Sequence, residues 1–339
     1  MAWLNIRTTR TLKTFFVGFI IGFLGDFFVQ NFWQDIMVTS SMQKLTRDLT
    51  GRDSQNVINT KLNDSVPIRS DFIYEDDSLA QNLKADVRVL IWVMTSPDNI
   101  VKLKAKAVRD TWGKRCNKLL FFSSKDDTQL PAIGLNVTES YENLTDKTRQ
   151  AFHYIYRHHY NDADWFMKAN DDTYVIVENL RYFLSRQNSS EPVYFGHRLN
   201  IGEFNSGGCG YVLSKEALRR FGQDATSLCQ QKSLYEDVDM GLCMKSLGVR
   251  IGETRDPLGR MRFYAFKLEF FLLRDNYNST DLMEKGRERI SNYAISFHKL
   301  TPRMMLYTDL YIYHIQRFGI FQCFPKLCSV GQWCSVRPG

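Results

Sequence analysis

The chain has 339 residues, 44% of them apolar and 24% charged, with a formal net charge of +7. That is long enough to bury one large core or two small ones, and ordinary enough in composition to exclude disorder throughout. The positive excess is spread along the chain; it suits anionic ligands such as nucleotide phosphates, while the lack of a long Lys/Arg block argues against nucleic acid.

Arg7, Arg10 and Lys13 precede TFFVGFIIGFLGDFFVQNFW, about 20 residues and so about 30 Å as a helix, the thickness of a hydrocarbon core. Asp26 interrupts it at a cost of about 2.5–3.5 kcal/mol, which the Phe, Ile and Leu around it offset. The expected layout is a cytosolic tail at 1–13 and a signal-anchor at 14–33, single-pass and type II. A cleaved signal peptide is the alternative, but the apolar run is long and ends in aromatic rather than small residues. Everything beyond the anchor then lies in the secretory lumen. Sequons at Asn63, Asn136, Asn143, Asn188 and Asn278 agree with this, as do seven cysteines in a compartment that permits disulfides.

Residues 34–84 are polar with little apolar periodicity and read as a luminal stem. From 85 the texture changes. VRVLIWVMTS is a continuous apolar run of strand length, followed by the basic amphipathic helix candidate KLKAKAVRDTWGKRC and a second strand, KLLFFSS. Next come a helix in TRQAFHYIYRHHY, a strand in DWFMKA and a helix in VIVENLRYFLSR, with Val177, Leu180 and Leu184 on one face. Strand–helix alternation predicts an α/β sheet flanked by helices.

Four stretches could carry chemistry. Asp171 and Asp172 follow the DWFMKA strand, where an open α/β sheet collects its ligands. They suit Mg²⁺ or Mn²⁺ on a diphosphate, or they simply cap the next helix. In SGGCGYVLSKEAL three glycines in four positions let backbone approach a ligand or make a plain tight turn, and Ser214 reads as a helix cap. Glu236 and Asp237 open a helix with Val238, Leu242 and Leu247 as its expected apolar face; they are a general base or favourable charge at a helix start. His298 ends the short strand-like run AISFH, as a ligand or a structural imidazole.

The order of these pieces is more telling than any one of them. With WVMTSP, TWGKRCNKLLFFSS, DADWFMKANDDTYVIVENLRYFLS, PVYFG, SGGCGYVLSKEALRRF, EDVDMGLCM and ISFHKLTPRMM, residues 85–320 resemble the core 1 β1,3-galactosyltransferases, inverting enzymes of glycosyltransferase family 31. The resemblance implies an A-type glycosyltransferase fold, a Rossmann-like mixed sheet flanked by helices, as the catalytic domain of a Golgi membrane protein. It implies transfer of galactose from UDP-galactose to the 3-hydroxyl of GalNAc on Ser/Thr of glycoproteins, with Mn²⁺ as cofactor. Carried over residue by residue, it makes Asp172, His298 and Asn170 the metal set. Thr95, Arg109, Lys147 and Asp171 are donor contacts, and Gly207 and Gly208 the wall of the sugar pocket. Asp237 is the base that deprotonates the acceptor, with Glu236 as the second candidate.

The sequence also departs from that pattern. Asn170 stands where the family has a third aspartate, so the site carries one negative charge fewer. Between Asp256 and Ser296 the aromatic acceptor loop and its Cys-Cys pair are missing, which leaves acceptor choice open. Cys229 and Cys243 match a family disulfide. Cys116 matches a family cysteine whose partner position is Ile91 here. Cys323, Cys328 and Cys334 lie in a C-terminal tail, 321–339, without a counterpart. The odd cysteine total allows a covalent homodimer. Two other readings accompany the enzyme: a non-catalytic paralogue that serves as chaperone of the active transferase, and a β1,3-glycosyltransferase with a different acceptor.

Overall fold

The computed structural model describes residues 77–199, 203–224, 229–230, 232–233, 235–273 and 286–315. The expected cytosolic tail, signal-anchor, most of the stem, the sequons Asn63 and Asn278, and the tail with Cys323, Cys328 and Cys334 lie outside the described residues. Among the described residues no helix is long and apolar enough to cross a membrane.

The element order is α1 (Ser78–Asp86), β1 (Val89–Met94), α2 (Asn99–Asp110), β2 (Lys118–Ser123), β3 (Ala132–Gly134), α3 (Leu144–His159), β4 (Trp165–Asn170), β5 (Tyr174–Val175), α4 (Val177–Leu184), β6 (Val193–Gly196), β7 (Tyr211–Ser214), α5 (Lys215–Gly222), α6 (Glu236–Ser246), β8 (Arg250–Ile251), β9 (Phe263–Tyr264), α7 (Leu268–Leu273), β10 (Ser296–Phe297) and α8 (Pro302–Tyr313). Helix α1 occupies the end of the expected stem, so regular structure begins a little before residue 85.

Seven strands form the main sheet in the order β3-β2-β1-β4-β7-β6-β8, and β5-β10-β9 form a small second sheet. Within the main sheet only β7 runs against the others. This is the α/β sheet that the alternation predicts, and it is mixed, as the resemblance implies. β1 is buried along its whole length because helices cover both faces. Its alternate residues divide between two cores. Val89, Ile91 and Val93 pack with Val108, Trp112, Val177, Leu180 and Leu184. Leu90, Trp92 and Met94 pack with Phe152, Ile155, Leu218 and Phe221. Burial of each such side chain contributes about 1.5–3 kcal/mol, so the central strands are held firmly and their carboxyl ends are fixed in space.

Several local expectations are met. Ser214 accepts a hydrogen bond from the Ala217 amide and caps α5 (3.0 Å). Cys229 and Cys243 form a disulfide that ties α6 to the chain before it. Cys116 is a free, half-buried thiol packed against the core that contains Ile91. One expectation is corrected. Helix α6 buries Met240, Cys243 and Met244, while Leu242 is exposed. The buried polar contacts of Glu236 and Asp239 and the Cys243 disulfide set its rotation, and they turn the Val238–Leu242 side outward. Of the described sequons, Asn136 and Asn188 are exposed. The Asn143 amide is engaged by Thr138 and Lys232, and its sequon hydroxyl, Thr145, is buried on Asp239 (2.6 Å).

Candidate active site

The site lies where β1 and β4 adjoin. Met94 pairs with Asn170 in the ladder, so the next residues on the two strands, Thr95 and Asp171, emerge together. The Thr95 hydroxyl donates to Asp171 Oδ2 (2.9 Å). Burial, which outweighs that bond, and the neighbouring Asp172 push the Asp171 carboxyl up to about 7, while Lys104 and Lys147 oppose them. Asp172 behaves oppositely. Burial works against its charge, but the hydrogen bond and charge of His298, with Lys104 behind them, hold it below the usual carboxylate range.

His298 comes from the far end of the sequence, just past β10. Its Nδ1 lies 3.0 Å from the Ala265 carbonyl, which can only accept, so Nδ1 carries the proton. Nε2 then faces Asp172 Oδ1 at 3.2 Å. The following residue, Lys299, has a left-handed backbone (φ 64°), a strained turn beside a functional group. The Leu300 amide bonds back to the Asp172 carbonyl (2.9 Å). Thr173 donates to the Gly208 carbonyl (2.7 Å) and Ser296 to the Cys209 carbonyl (2.7 Å). Three segments distant in sequence are thereby fastened into one wall.

The glycine turn fits between the charged groups with no room to spare. A Cβ on Gly208 would sit 2.2 Å from His298 Cε1, and one on Gly207 would sit 2.5 Å from Glu236 Oε2. Gly210 adopts a left-handed φ of 82°, which explains a third glycine. The Gly207 amide donates to Asp237 Oδ2 (3.1 Å). Asp237 is partly exposed, and burial, aided by Glu236, raises its pKa despite that bond.

Glu236, next to it, is in a different state. Its carboxylate is buried and accepts from Lys168 (2.8 Å), Tyr211 (2.8 Å) and Thr148 (3.0 Å). Lys168 is a charge in the middle of the apolar strand β4, and its partner explains it. The sequence reading overlooked it, although a lysine amid DWFMKAN was the available signal.

A cleft of about 130 Å³ adjoins Thr95, lined by Ser96, Pro97, Ser123, Lys125, Asp126 and Asp127. It lies at the carboxyl ends of β1 and β2, as ligand crevices of such sheets do. Lys147 is buried behind it, donating to the Thr95 carbonyl and to Glu139. It shapes the cleft rather than lining it. Arg109 bonds Asp110 and the Gln129 carbonyl, and so braces the loop that supplies Leu130 to the cleft. Lys104, which no sequence signal singled out among its basic neighbours, acts electrostatically on both Asp171 and Asp172. The structure thus brings together Thr95, Asn170, Asp171, Asp172, Gly207, Gly208, Glu236, Asp237 and His298; Lys147 and Arg109 stand behind them with partners of their own.

Among the described residues no group of three or more His, Cys, Asp or Glu is disposed to hold a metal ion. Asp172 and His298 offer two donors, and the buried Asn170 Oδ1 has no hydrogen-bond partner. An oxygen, a carboxylate and an imidazole suit a divalent ion that completes its shell with phosphate and water oxygens.

Residues 88–258, about half of the chain, match the Fringe-like family model. The chain is 39% identical over 294 residues to the glycoprotein-N-acetylgalactosamine 3-beta-galactosyltransferase 1 of Xenopus laevis, covering 81% of each. It is 29% identical over 157 residues to a beta-1,3-glucosyltransferase of Mus musculus, covering 44% of this chain and 32% of that protein. A solved glycosyltransferase involved in the glycosylation of the major capsid of PBCV-1 aligns at 13% identity and a TM-score of 0.26, over 42% of this chain and 69% of that one, too slight an overlap to bear on the fold. Sequence and site agree: this chain is a glycosyltransferase and belongs to the Fringe-like family, in the group of the glycoprotein-N-acetylgalactosamine 3-beta-galactosyltransferases.

Proposed function

We propose that the protein transfers galactose from UDP-galactose to the 3-hydroxyl of GalNAc on Ser or Thr of glycoproteins, with inversion and with Mn²⁺. One observation carries this reading. Two adjacent residues, Gly207 and Gly208, touch the candidate base Asp237 on one side and His298 on the other, so acid–base and diphosphate chemistry meet across one gap. Similarity to the Xenopus laevis galactosyltransferase supports the donor and acceptor.

The cleft beside Thr95 receives the nucleotide, and Lys104 adds positive charge toward the diphosphate. Asp172, His298 and the Asn170 amide oxygen would hold the ion, and a bound divalent ion would supply neutralisation of charge on the diphosphate. Asp237 takes the proton of the acceptor hydroxyl as its oxygen bonds to C1 of galactose. The bond from C1 to the diphosphate oxygen breaks in the same displacement, and UDP leaves. Glu236 holds Lys168 and the start of α6 and thereby positions Asp237.

The reading extends to a Golgi lumen location behind the 14–33 anchor, and to a covalent homodimer through an unpaired cysteine. Immunolocalisation and non-reducing electrophoresis test these two points. The activity is tested by transfer from UDP-galactose to a GalNAc-threonine peptide, with Mn²⁺ and with chelator. Metal-dependent product with a β1,3 linkage is expected. A folded protein that binds UDP and Mn²⁺ but makes no product on any GalNAc acceptor overturns the acceptor. One that binds neither, and instead co-purifies with an active transferase, overturns catalysis in favour of a partner role.

A further inference from the structure

Helix α8 turns polar side chains toward the domain and apolar ones away from it. Met305, Asp309 and Tyr313 recur every four residues along its inner side. Met305 joins the core. Asp309, with its side chain only 13% exposed, accepts from the Tyr174 hydroxyl (3.0 Å) and lies 3.8 Å from the Arg115 guanidinium. Arg115 also stacks 3.4 Å from the centroid of the Tyr313 ring, whose hydroxyl donates to Glu178. Together with Met305, this charged network fixes the rotation of the helix.

The consequence falls on the other side. Leu306, Tyr307, Leu310 and Tyr311, at i, i+1, i+4 and i+5, form one stripe and are 43% to 68% exposed. Ile315, just past the helix, and Leu103 on α2, against which α8 packs, are exposed as well. A single exposed leucine or tyrosine needs no explanation, but a contiguous stripe of them does. An amphipathic helix normally buries its leucines and leaves an aspartate in water; α8 does the reverse, so its outer stripe is a surface built to be covered.

The chain itself supplies a cover. Residues 316–339, QRFGIFQCFPKLCSVGQWCSVRPG, start where the stripe ends and lie outside the described residues. They bring Phe318, Ile320, Phe321, Phe324, Leu327 and Trp333, with Arg317, Lys326 and Arg337 as their only charges. That is not the composition of a solvated linker. The helix is about 18 Å long, whereas 24 extended residues reach about 80 Å, so the segment can reverse and run back along α8 with length to spare. Gly319 permits the reversal. Its attachment at Ile315 sets an effective concentration of about millimolar, which favours this segment over a separate molecule.

We propose that the apolar stripe of α8 is the docking surface of the chain's own C-terminal segment, with residues 318–327 laid along Leu306, Tyr307, Leu310 and Tyr311. The proposal does not depend on the chemistry assigned to the active site.

Hydroxyl-radical footprinting of the full-length protein in detergent, read by mass spectrometry, tests it. Tyr141, 62% exposed, is the open reference, and the fully buried Tyr264 the closed one. Tyr307 and Tyr311 should oxidise at least about fivefold more slowly than Tyr141, at every protein concentration. Phe321→Asp/Phe324→Asp/Leu327→Asp should bring both to the Tyr141 rate while Tyr264 stays unreactive. Leu310→Glu, made on the helix instead, should raise oxidation of Phe321 and Phe324 severalfold. Tyr307 and Tyr311 as reactive as Tyr141 in the unaltered protein would overturn the proposal. Protection that survives the triple change assigns the stripe to the micelle or to another protein, and protection that fades on dilution assigns it to a second copy; either result overturns it too. Should the triple variant also expose Tyr264, Leu310→Glu decides, and unchanged Phe321 and Phe324 then reject the docking.

Discussion

Replacing Lys168 by methionine separates the two acidic residues at the start of α6 by their physical roles. Lys168 and Glu236 are 2.8 Å apart, with side chains only 3% and 7% exposed. Truncating one member of a buried ion pair typically costs about 3–5 kcal/mol, because the other charge is left without compensation. Glu236 would keep its bonds from Tyr211 and Thr148, which argues for the lower end, about 3 kcal/mol. For a domain of this size each kcal/mol shifts Tm by about 2–4 °C, so Lys168→Met should melt roughly 6–12 °C lower. Lys168→Met/Glu236→Gln removes both charges and keeps both hydroxyl bonds. It should therefore be clearly more stable than the sum of the two single changes predicts, with a coupling of about 1–3 kcal/mol. Thermal and urea denaturation give these values, and turnover on the same samples gives the second half of the argument. Glu236→Gln should keep transferase activity within about tenfold at temperatures where it is folded, whereas Asp237→Asn should lose about 10²–10⁴-fold, the usual contribution of a general base. A Lys168→Met cost under about 1 kcal/mol, as for an exposed pair, or equal activity losses in Glu236→Gln and Asp237→Asn, would refute the division of labour.

Gly208→Ala should fold but lose at least about tenfold in metal-dependent UDP affinity, because the new Cβ occupies the space of the His298 ring; unchanged affinity in Mn²⁺ would contradict the packing. The acid limb of kcat/KM should lie above the ordinary aspartate range near 3.9, since burial raises Asp237 and the base works only when ionised. Activity is then lost as pH falls through that raised value, and a limb at or below the ordinary one would count against Asp237. Lys168→Met should move this limb further up, because the Lys168 charge favours the ionised form. Replacing Cys229 and Cys243 by serine should cost about 3 kcal/mol, as expected for a loop of 14 residues, read as a lower urea midpoint under oxidising conditions.

The elements of the sheet were legible because their signals are local. β1, β4 and α4 announce themselves by apolar runs or helical spacing, and the structure buries Val177, Leu180 and Leu184 on one face as that spacing requires. The phase of α6 was not legible. Its sequence offers two comparable stripes, and the choice falls to Glu236, Asp239 and Cys243, whose partners are Lys168, Thr145 and Cys229. Those partners lie on other elements, so periodicity could not select between the stripes. The same holds for Lys147 and Arg109, where a basic residue in a suitable position reads equally well as a ligand contact or as a brace; their hydrogen bonds to Thr95, Glu139 and Gln129 are visible only in the fold.

By itself the amino-acid order determined that this chain makes an α/β sheet flanked by helices, that Asp171 and Asp172 follow a buried strand, and that a glycine turn, an acidic pair and a histidine come in that sequence. These follow from side-chain periodicity, turn chemistry and charge placement, which act over a few residues. Tertiary structure alone decided that Asp172 faces His298 across 126 positions of chain, and that Asp237 hangs from the Gly207 amide while Glu236 is locked to Lys168. Distances between side chains on different elements depend on how the sheet and its helices pack, and burial then sets which carboxylate stays available for chemistry.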